Sequence, residues 1–240
     1  MNAKHYRFKT AVTDLFQSLP VGVGFREVGQ LDDSVLFPEE RRMISERAVQ
    51  KRKIDFALGR AAAREALRAL SNTPVPILRG SRGEPIWPPG VVGSITHSCG
   101  VAVALAGKTS EYLTIGIDLE SATSSLSLRS MKTICVEEEA EWVLASGATE
   151  ANIRLIRLFS AKEAIFKALY PLVRTELMFK DALLRWDGDI ADGIGGFIAN
   201  VRNWENESAF CVHSVLFDAF VFSWLCIQSN YKSSGNMSSP

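Results

Sequence analysis

The chain is poor in the features that mark several protein classes. It has only four cysteines, Cys99, Cys135, Cys211 and Cys226, scattered with no C-x-x-C pair. That excludes a disulfide scaffold, a zinc ribbon and a dithiol redox motif, and leaves free thiols of a reducing, cytoplasmic compartment. It has no long hydrophobic run. The most apolar stretch near the C-terminus, AFVFSWLCI at 219–227, is far short of the roughly 20 residues that cross a bilayer. The N-terminus is broken by Lys4, Arg7, Lys9 and Asp14 and lacks the apolar core of a signal peptide. There is no excess charge: 27 Lys and Arg face 27 Asp and Glu, whereas a general nucleic-acid binder is basic. Low-complexity tracts, strict repeats and a Ser/Cys–His–Asp nucleophile pattern are missing as well.

What remains is an ordinary globular composition, 47% hydrophobic and 22% charged over 240 residues, enough for one or two domains with a real core. Charge is segregated along the chain. Residues 41–82 hold 11 basic side chains against Glu46, Asp55 and Glu65, a net of +8. In a neutral protein such a stretch points to a local anion site, although a solvated helix face accounts for most of these side chains.

Residues 45–70, rich in Ala, Leu, Arg and Glu with apolar positions at helical spacing, read as a helix. The Pro- and Gly-dense segment 73–90 reads as loop with a short strand, 91–107 as a strand pair or a strand and a buried segment, and 111–120 as an alternating strand. A Ser-rich loop at 121–130 precedes a helix over 136–146, whose acidic run Glu137–Glu139 reads as a face in water. Residues 150–170 form a strong amphipathic helix stopped by Pro171. Turns at 187–196, two β-rich runs, FCVHSVLF and FVFSWLCI, and a polar tail complete the chain. Helices and strands mix without βαβ alternation, so the class is α+β.

Chemistry concentrates in three places. In IGIDLE, alternation sends Ile115, Ile117 and Leu119 to the core and sets Gly116, Asp118 and Glu120 on the opposite face. Two carboxylates beside a glycine that leaves room suit a hard cation with open positions; a solvated strand edge gives the same pattern. In FSAKEAIFKAL, Glu163 and Lys167 lie one helical turn apart, either a surface pair or a third metal carboxylate beside a phosphate-binding cation. Arg52, Phe56 and Arg60 share a helix face, and two arginines so placed can grip a phosphate bidentately or simply face solvent. His97, in GSITHS, is a structural hydrogen-bonder or a catalyst. Taken together, these residues suggest metal-assisted chemistry on a pyrophosphate-bearing substrate.

The order GRAAAREAL, ILRGSRGEPIWPPGVVGSITHS, IGIDLE, FSAKEAIFKAL resembles the 4′-phosphopantetheinyl transferases, within them the branch of the enterobactin-synthase component D type and the mycobacterial type II enzyme. The likeness runs from about Arg52 to Leu169. It implies two similar α/β halves with pseudo-twofold symmetry and an active site in the cleft between them. The expected organisation is an N-terminal half over 1–115 with the coenzyme A helix and loop, a C-terminal half over 116–228 with the metal carboxylates, and a tail over 229–240.

The resemblance also implies the reaction: transfer of the phosphopantetheine arm of coenzyme A to a serine of an apo acyl or peptidyl carrier protein, releasing adenosine 3′,5′-bisphosphate. It implies Mg²⁺ as cofactor, with Mn²⁺ able to serve, and no nucleic-acid or membrane partner. Asp118, Glu120 and Glu163 match the metal positions, and Glu163 the serine base. Lys162 and Lys167 match contacts to the coenzyme A phosphates, His97 the histidine of the phosphate region, and Arg52, Arg60 and Arg79 the 3′-phosphate and adenine end. Arg79 stands where lysine is common, and Leu119 where some relatives carry a third acid. Catalytic roles fall to Glu163, Lys167 and His97; Asp118 also belongs with the coenzyme A contacts. Arg129, Met131 and Lys132 are the expected receivers of acidic carriers, in siderophore, nonribosomal-peptide or polyketide synthesis. Both halves in one chain imply a monomer. Against this stand a metal-dependent hydrolase of coenzyme A or a related pyrophosphate, and a carrier-binding module without turnover.

Overall fold

The chain begins in an amphipathic helix, α1 (Ala3–Phe16), whose Phe8, Val12 and Phe16, four residues apart, are its buried positions. It leads into strand β1 (Val21–Glu27), a short helix α2 (Pro38–Arg41) and the long α3 (Gln50–Ala69). The computed structural model describes residues 3–30, 35–71, 73–175, 177–188, 195–202, 204 and 209–230. The helix expected from residue 45 starts at Gln50, because Val49 is still extended. A two-rung hairpin, β2 (Leu78–Arg79) and β3 (Pro85–Ile86), precedes β4 (Val91–Ser98) and β5 (Val101–Lys108). Cys99 and Gly100, both at positive φ, close the β4–β5 turn.

β6 (Tyr112–Ser121) begins the second part, followed by α4 (Leu128–Ile134), α5 (Glu137–Leu144) and α6 (Ala148–Val173). Strands β7 (Ala182–Asp187), β8 (Gly196–Val201), β9 (Phe210–Phe217) and β10 (Phe220–Gln228) complete it. The expected Ser-rich loop is shorter than 121–130, since Ser127 caps α4 by accepting from the Ser130 amide at 3.1 Å. Pro171 does not stop α6: it sits in the last turn, and the helix ends three residues later at Arg174, whose amide bonds to Tyr170 O. Of the expected turn 187–196, residues 189–194 lie outside the described residues, as do 231–240 of the tail; Ser229 is tied to Glu111 and Ser110.

The α+β class holds. Two antiparallel sheets form, ordered β1-β5-β4 and β6-β10-β9-β8-β7. Each carries a long helix, α3 and α6 respectively, although three strands face five. Residue 115, expected as the boundary between halves, falls inside β6. A shared apolar cluster crosses that boundary: Phe8 and Phe16 pack with Phe25 and Leu105 from one part and Ile115, Ile117, Leu119 and Phe222 from the other. β10 lies between β6 and β9, which explains its nearly unbroken apolar sequence.

β6 is bonded on both edges, but differently. One edge pairs with β10; on the other, Ser94 Oγ accepts from Ile117 N (3.2 Å) and Thr96 Oγ1 accepts from Leu119 N (3.0 Å), so hydroxyls of β4 replace a backbone ladder. The Gly116, Asp118, Glu120 face is not open. α6 lies directly on it, and a Cβ at Gly116 would meet Ala164 O at 2.0 Å and the Ala168 methyl at 2.8 Å. The glycine makes room for a helix backbone, not for a ligand. The same device recurs where α3 crosses Gly22 and Gly24.

Gly116→Ala should therefore cost about 1–3 kcal/mol, toward the upper end because the obstructing atom is backbone. Gly29→Ala, with nothing within 4 Å, should stay within about 0.5 kcal/mol. Denaturant titration of both variants checks this.

Candidate functional site

The close seat of α6 on β6 puts Lys167 over Asp118. Lys167 Nζ donates to Asp118 Oδ1 at 2.6 Å and to Thr96 Oγ1 at 3.3 Å, and the Thr96 hydroxyl lies 3.3 Å from Asp118 Oδ1. Asp118 is 4% exposed, and its other oxygen, Oδ2, is buried without a hydrogen-bond partner. An orphaned carboxylate oxygen is costly and suits a position that a cation fills.

The neighbouring acids tell the same story. Burial, then the charge of Asp118, pushes the Glu120 carboxyl up to about 7, with Lys167 opposing. Burial also raises Glu163, again opposed by Lys167. Three carboxylates therefore lie within electrostatic reach of one ammonium, which bonds to Asp118 alone among them, a charge pattern that a divalent cation would relieve. They are not a closed chelate: among the described residues no three Asp, Glu, His or Cys side chains form a group that could hold an ion by themselves. The donor set fits an open site that water and phosphate oxygens complete.

Two adjoining cavities flank this point and share Gly83, Pro85 and Ile95. The larger, about 740 Å³, is lined by Glu163 and Lys167 together with Trp87, Phe166 and Tyr170. The smaller, about 430 Å³, brings together Arg52, Arg60, Arg79 and His97, residues drawn from α3, β2 and β4. Asp118 and Glu120 line neither; Asp118 is reached from the larger cavity through its bond to Lys167.

The smaller cavity is built from the basic stretch. Arg60 is buried, its guanidinium carbon 4.3 Å from the Phe56 ring centroid, and it donates to Ile77 O (2.7 Å) and Leu78 O (3.3 Å). Burial lowers its pKa to about 10; Glu40 opposes that fall and nearby Arg79 deepens it. Two guanidiniums facing one space favour an anion between them. Glu40, wholly buried, accepts from Arg64 Nη1 with both oxygens and from the Ile77 amide, and so fixes the segment carrying Arg79. Arg64 is thereby withdrawn from any anion site. Arg52 is exposed at the cavity edge. His97 Nδ1 stands 3.8 Å from Asp55 Oδ2, which Lys51 also binds at 2.7 Å. Burial, outweighing the pull of Asp55, lowers the His97 pKa.

Lys162 departs from expectation. Its ammonium makes three bonds, to Glu139 Oε2 (2.6 Å), Ile134 O (2.8 Å) and Phe179 O (2.9 Å), and its side chain is 1% exposed. All three donors are spent inside the protein, so here it is a structural cation and not a phosphate contact. Its partner Glu139, expected in water, is buried and also accepts from the Val136 and Leu184 amides. Sequence reasoning also missed Thr96 and Ser94, the hydroxyls that join β4 to the acidic strand; the only sequence signal was their alternation in GSITHS.

The raised Glu120 acid has a sign that can be checked. Protein free of divalent cations takes up a proton on folding between the ordinary carboxyl value of 4.5 and about 7. Stability from this group is thus full below 4.5 and lost as pH rises through 7. Melting temperature in EDTA should fall across that window, and Glu120→Gln should flatten the fall. A profile unchanged by the substitution would refute the assignment.

Comparison with known proteins identifies the family. A family model described as the 4′-phosphopantetheinyl transferase N-terminal domain matches residues 39–107, and one for the 4′-phosphopantetheinyl transferase superfamily matches 114–211. The 4′-phosphopantetheinyl transferase Svp of Streptomyces mobaraensis is 42% identical over 157 residues, 65% of this chain and 63% of its own length. The 4′-phosphopantetheinyl transferase Npt of Nocardia iowensis is 38% identical over 184 residues, covering 75% of this chain and 81% of its own. Enterobactin synthase component D of Escherichia coli K12 is 33% identical over 141 residues, 58% of this chain and 65% of its own. With both parts of the chain matched and the acidic and basic residues gathered at their junction, this protein belongs to the 4′-phosphopantetheinyl transferase superfamily.

Proposed function

We propose that this protein transfers the 4′-phosphopantetheine arm of coenzyme A to a serine hydroxyl of an acyl or peptidyl carrier protein, with Mg²⁺, or Mn²⁺ in its place, as cofactor. The observation that carries the reading is the junction of a cavity lined by three arginines and His97 with a cluster of three carboxylates and one lysine.

Arg52, Arg60, Arg79 and His97 hold the phosphates of the adenosine end. Binding there, away from the reacting phosphorus, supplies orientation. Lys167 exchanges Asp118 for the pyrophosphate oxygens and shields the charge that grows on the leaving group. Glu163, whose proton affinity is raised by burial, accepts the serine proton directly or through a water. The serine oxygen bonds to the β-phosphorus as the bond from that phosphorus to the bridging oxygen breaks, and adenosine 3′,5′-bisphosphate leaves. Asp118, Glu120 and Glu163 would hold the divalent cation, which when bound supplies further neutralisation of the pyrophosphate.

The carrier docks on α4, where Arg129 and Lys132 are exposed and Met131 packs partly against the core behind it. Siderophore, nonribosomal-peptide or polyketide carriers are the proposed targets, in line with the enterobactin synthase relatives.

The test is intact-mass analysis of an apo carrier incubated with protein, coenzyme A and Mg²⁺. The carrier should gain one phosphopantetheine, and EDTA should prevent it. Glu163→Gln should slow transfer by about 10²–10⁴-fold while the protein stays folded. Coenzyme A consumed without any carrier gain would replace the transferase with a hydrolase. Carrier affinity should weaken as salt rises, with Lys132→Glu removing part of that dependence; an affinity indifferent to salt would reject the docking face.

A further inference from the structure

An ion pair joins the β2–β3 hairpin to the end of α6. Arg174 Nη1 donates to Glu84 Oε1 at 2.9 Å, joining residues 90 apart in sequence and from different parts of the molecule. Both line the larger cavity, the one that also holds Glu163 and Lys167.

The hairpin is shaped around its charged groups. Glu84 folds back over Gly80, where a Cβ would lie 2.0 Å from Oε1, and its Oε2 accepts from the Arg82 amide at 3.0 Å. Gly80 N also bonds to Glu84 O, and Gly83 N to Gly80 O. Arg79 lies over Gly83, at φ +94, where a Cβ would come 2.9 Å from its Nη2. One tight turn therefore presents Arg79 toward the basic cavity and Glu84 toward α6. The Glu84 side chain is 12% exposed and is held within the hairpin by the Arg82 amide as well as by Arg174.

Arg174 is the second observation. It is the α6 cap, in the left-handed conformation at φ 55, where glycine is the low-cost residue. An arginine there has a backbone cost that glycine avoids, consistent with a use for its side chain.

We propose that the Glu84–Arg174 pair is a latch that fixes the hairpin, and with it Arg79, against the end of the helix carrying Glu163 and Lys167. Both are positioning residues: they couple the grip on the adenosine end of coenzyme A to the transfer residues. The latch rests on the functional reading above, and two measurements separate the fates of the two ideas.

The first is hydrogen exchange of unliganded protein. Arg174→Gly should speed exchange of the Gly80, Arg82 and Gly83 amides while melting temperature stays within about 2 °C, because glycine suits the cap and a partly exposed ion pair adds little to global stability. The second is calorimetric titration. Arg174→Gly and Glu84→Gln should each weaken coenzyme A by about two- to fivefold. The double variant should bind no more weakly than the weaker single, and Arg174→Lys should recover part of the loss. Adenosine 3′,5′-bisphosphate should lose affinity by the same factor, since Arg79 serves that end. Unchanged exchange with unchanged affinity overturns the latch, as does a loss confined to coenzyme A and absent for the bisphosphate. Wild-type protein that binds neither ligand overturns the transferase reading instead.

Discussion

Everything at the candidate site depends on how closely α6 lies on β6. The absent side chain at Gly116 lets the helix backbone at Ala164 come within contact of the strand. Only at that separation does a lysine rooted in the helix reach an aspartate rooted in the strand at 2.6 Å. The hydroxyls of Ser94 and Thr96 then bond β4 to the other edge of the same strand. The cleft between the two parts is therefore fixed by backbone contacts and short hydroxyl bridges, and the apolar cluster beneath α1 resists their separation.

Helical geometry sorts the charges of α6. Successive residues turn by about 100°, so Glu163 and Lys167, four apart, differ by roughly 40° and face the cleft together. Lys162 and Lys167, five apart, differ by roughly 140° and serve opposite sides. One becomes the centre of a buried, fully bonded ion pair with Glu139 beneath α5; the other remains at a cavity wall with a single carboxylate. Two lysines of the same short motif thus have different physical environments, one saturated and one able to change partners.

The basic stretch divides in the same way. Arg64 is consumed by Glu40, and Lys51 is paired with Asp55. Arg60 and Arg79 are held by carbonyls and by a tight turn in a position where their mutual repulsion favours an anion. A net charge summed over residues 41–82 contains both groups, and only burial and partners distinguish them.

Much of the fold was legible in the sequence because periodicity reports directly on which side of an element is buried. The alternation in IGIDLE identified Ile115, Ile117 and Leu119 as core, and they are buried. The helical spacing of Glu163 and Lys167, and of Arg52, Phe56 and Arg60, put each set on one face, and each set lines a cavity. Pattern alone could not say what covers the other face of β6, because an alternating strand looks the same whether water or a helix lies opposite. It could not separate Lys162 from Lys167 or Glu139 from Glu137, since exposure of a charged side chain depends on partners distant in sequence. Nor could it find the Glu84–Arg174 contact, whose two residues meet only when the hairpin folds over the end of α6. The sequence by itself determined the element types, the apolar faces and the residue chemistry of the site, because these follow from local stereochemistry. The tertiary structure decided which charges are spent and which are available, because that depends on long-range packing and the loss of solvent.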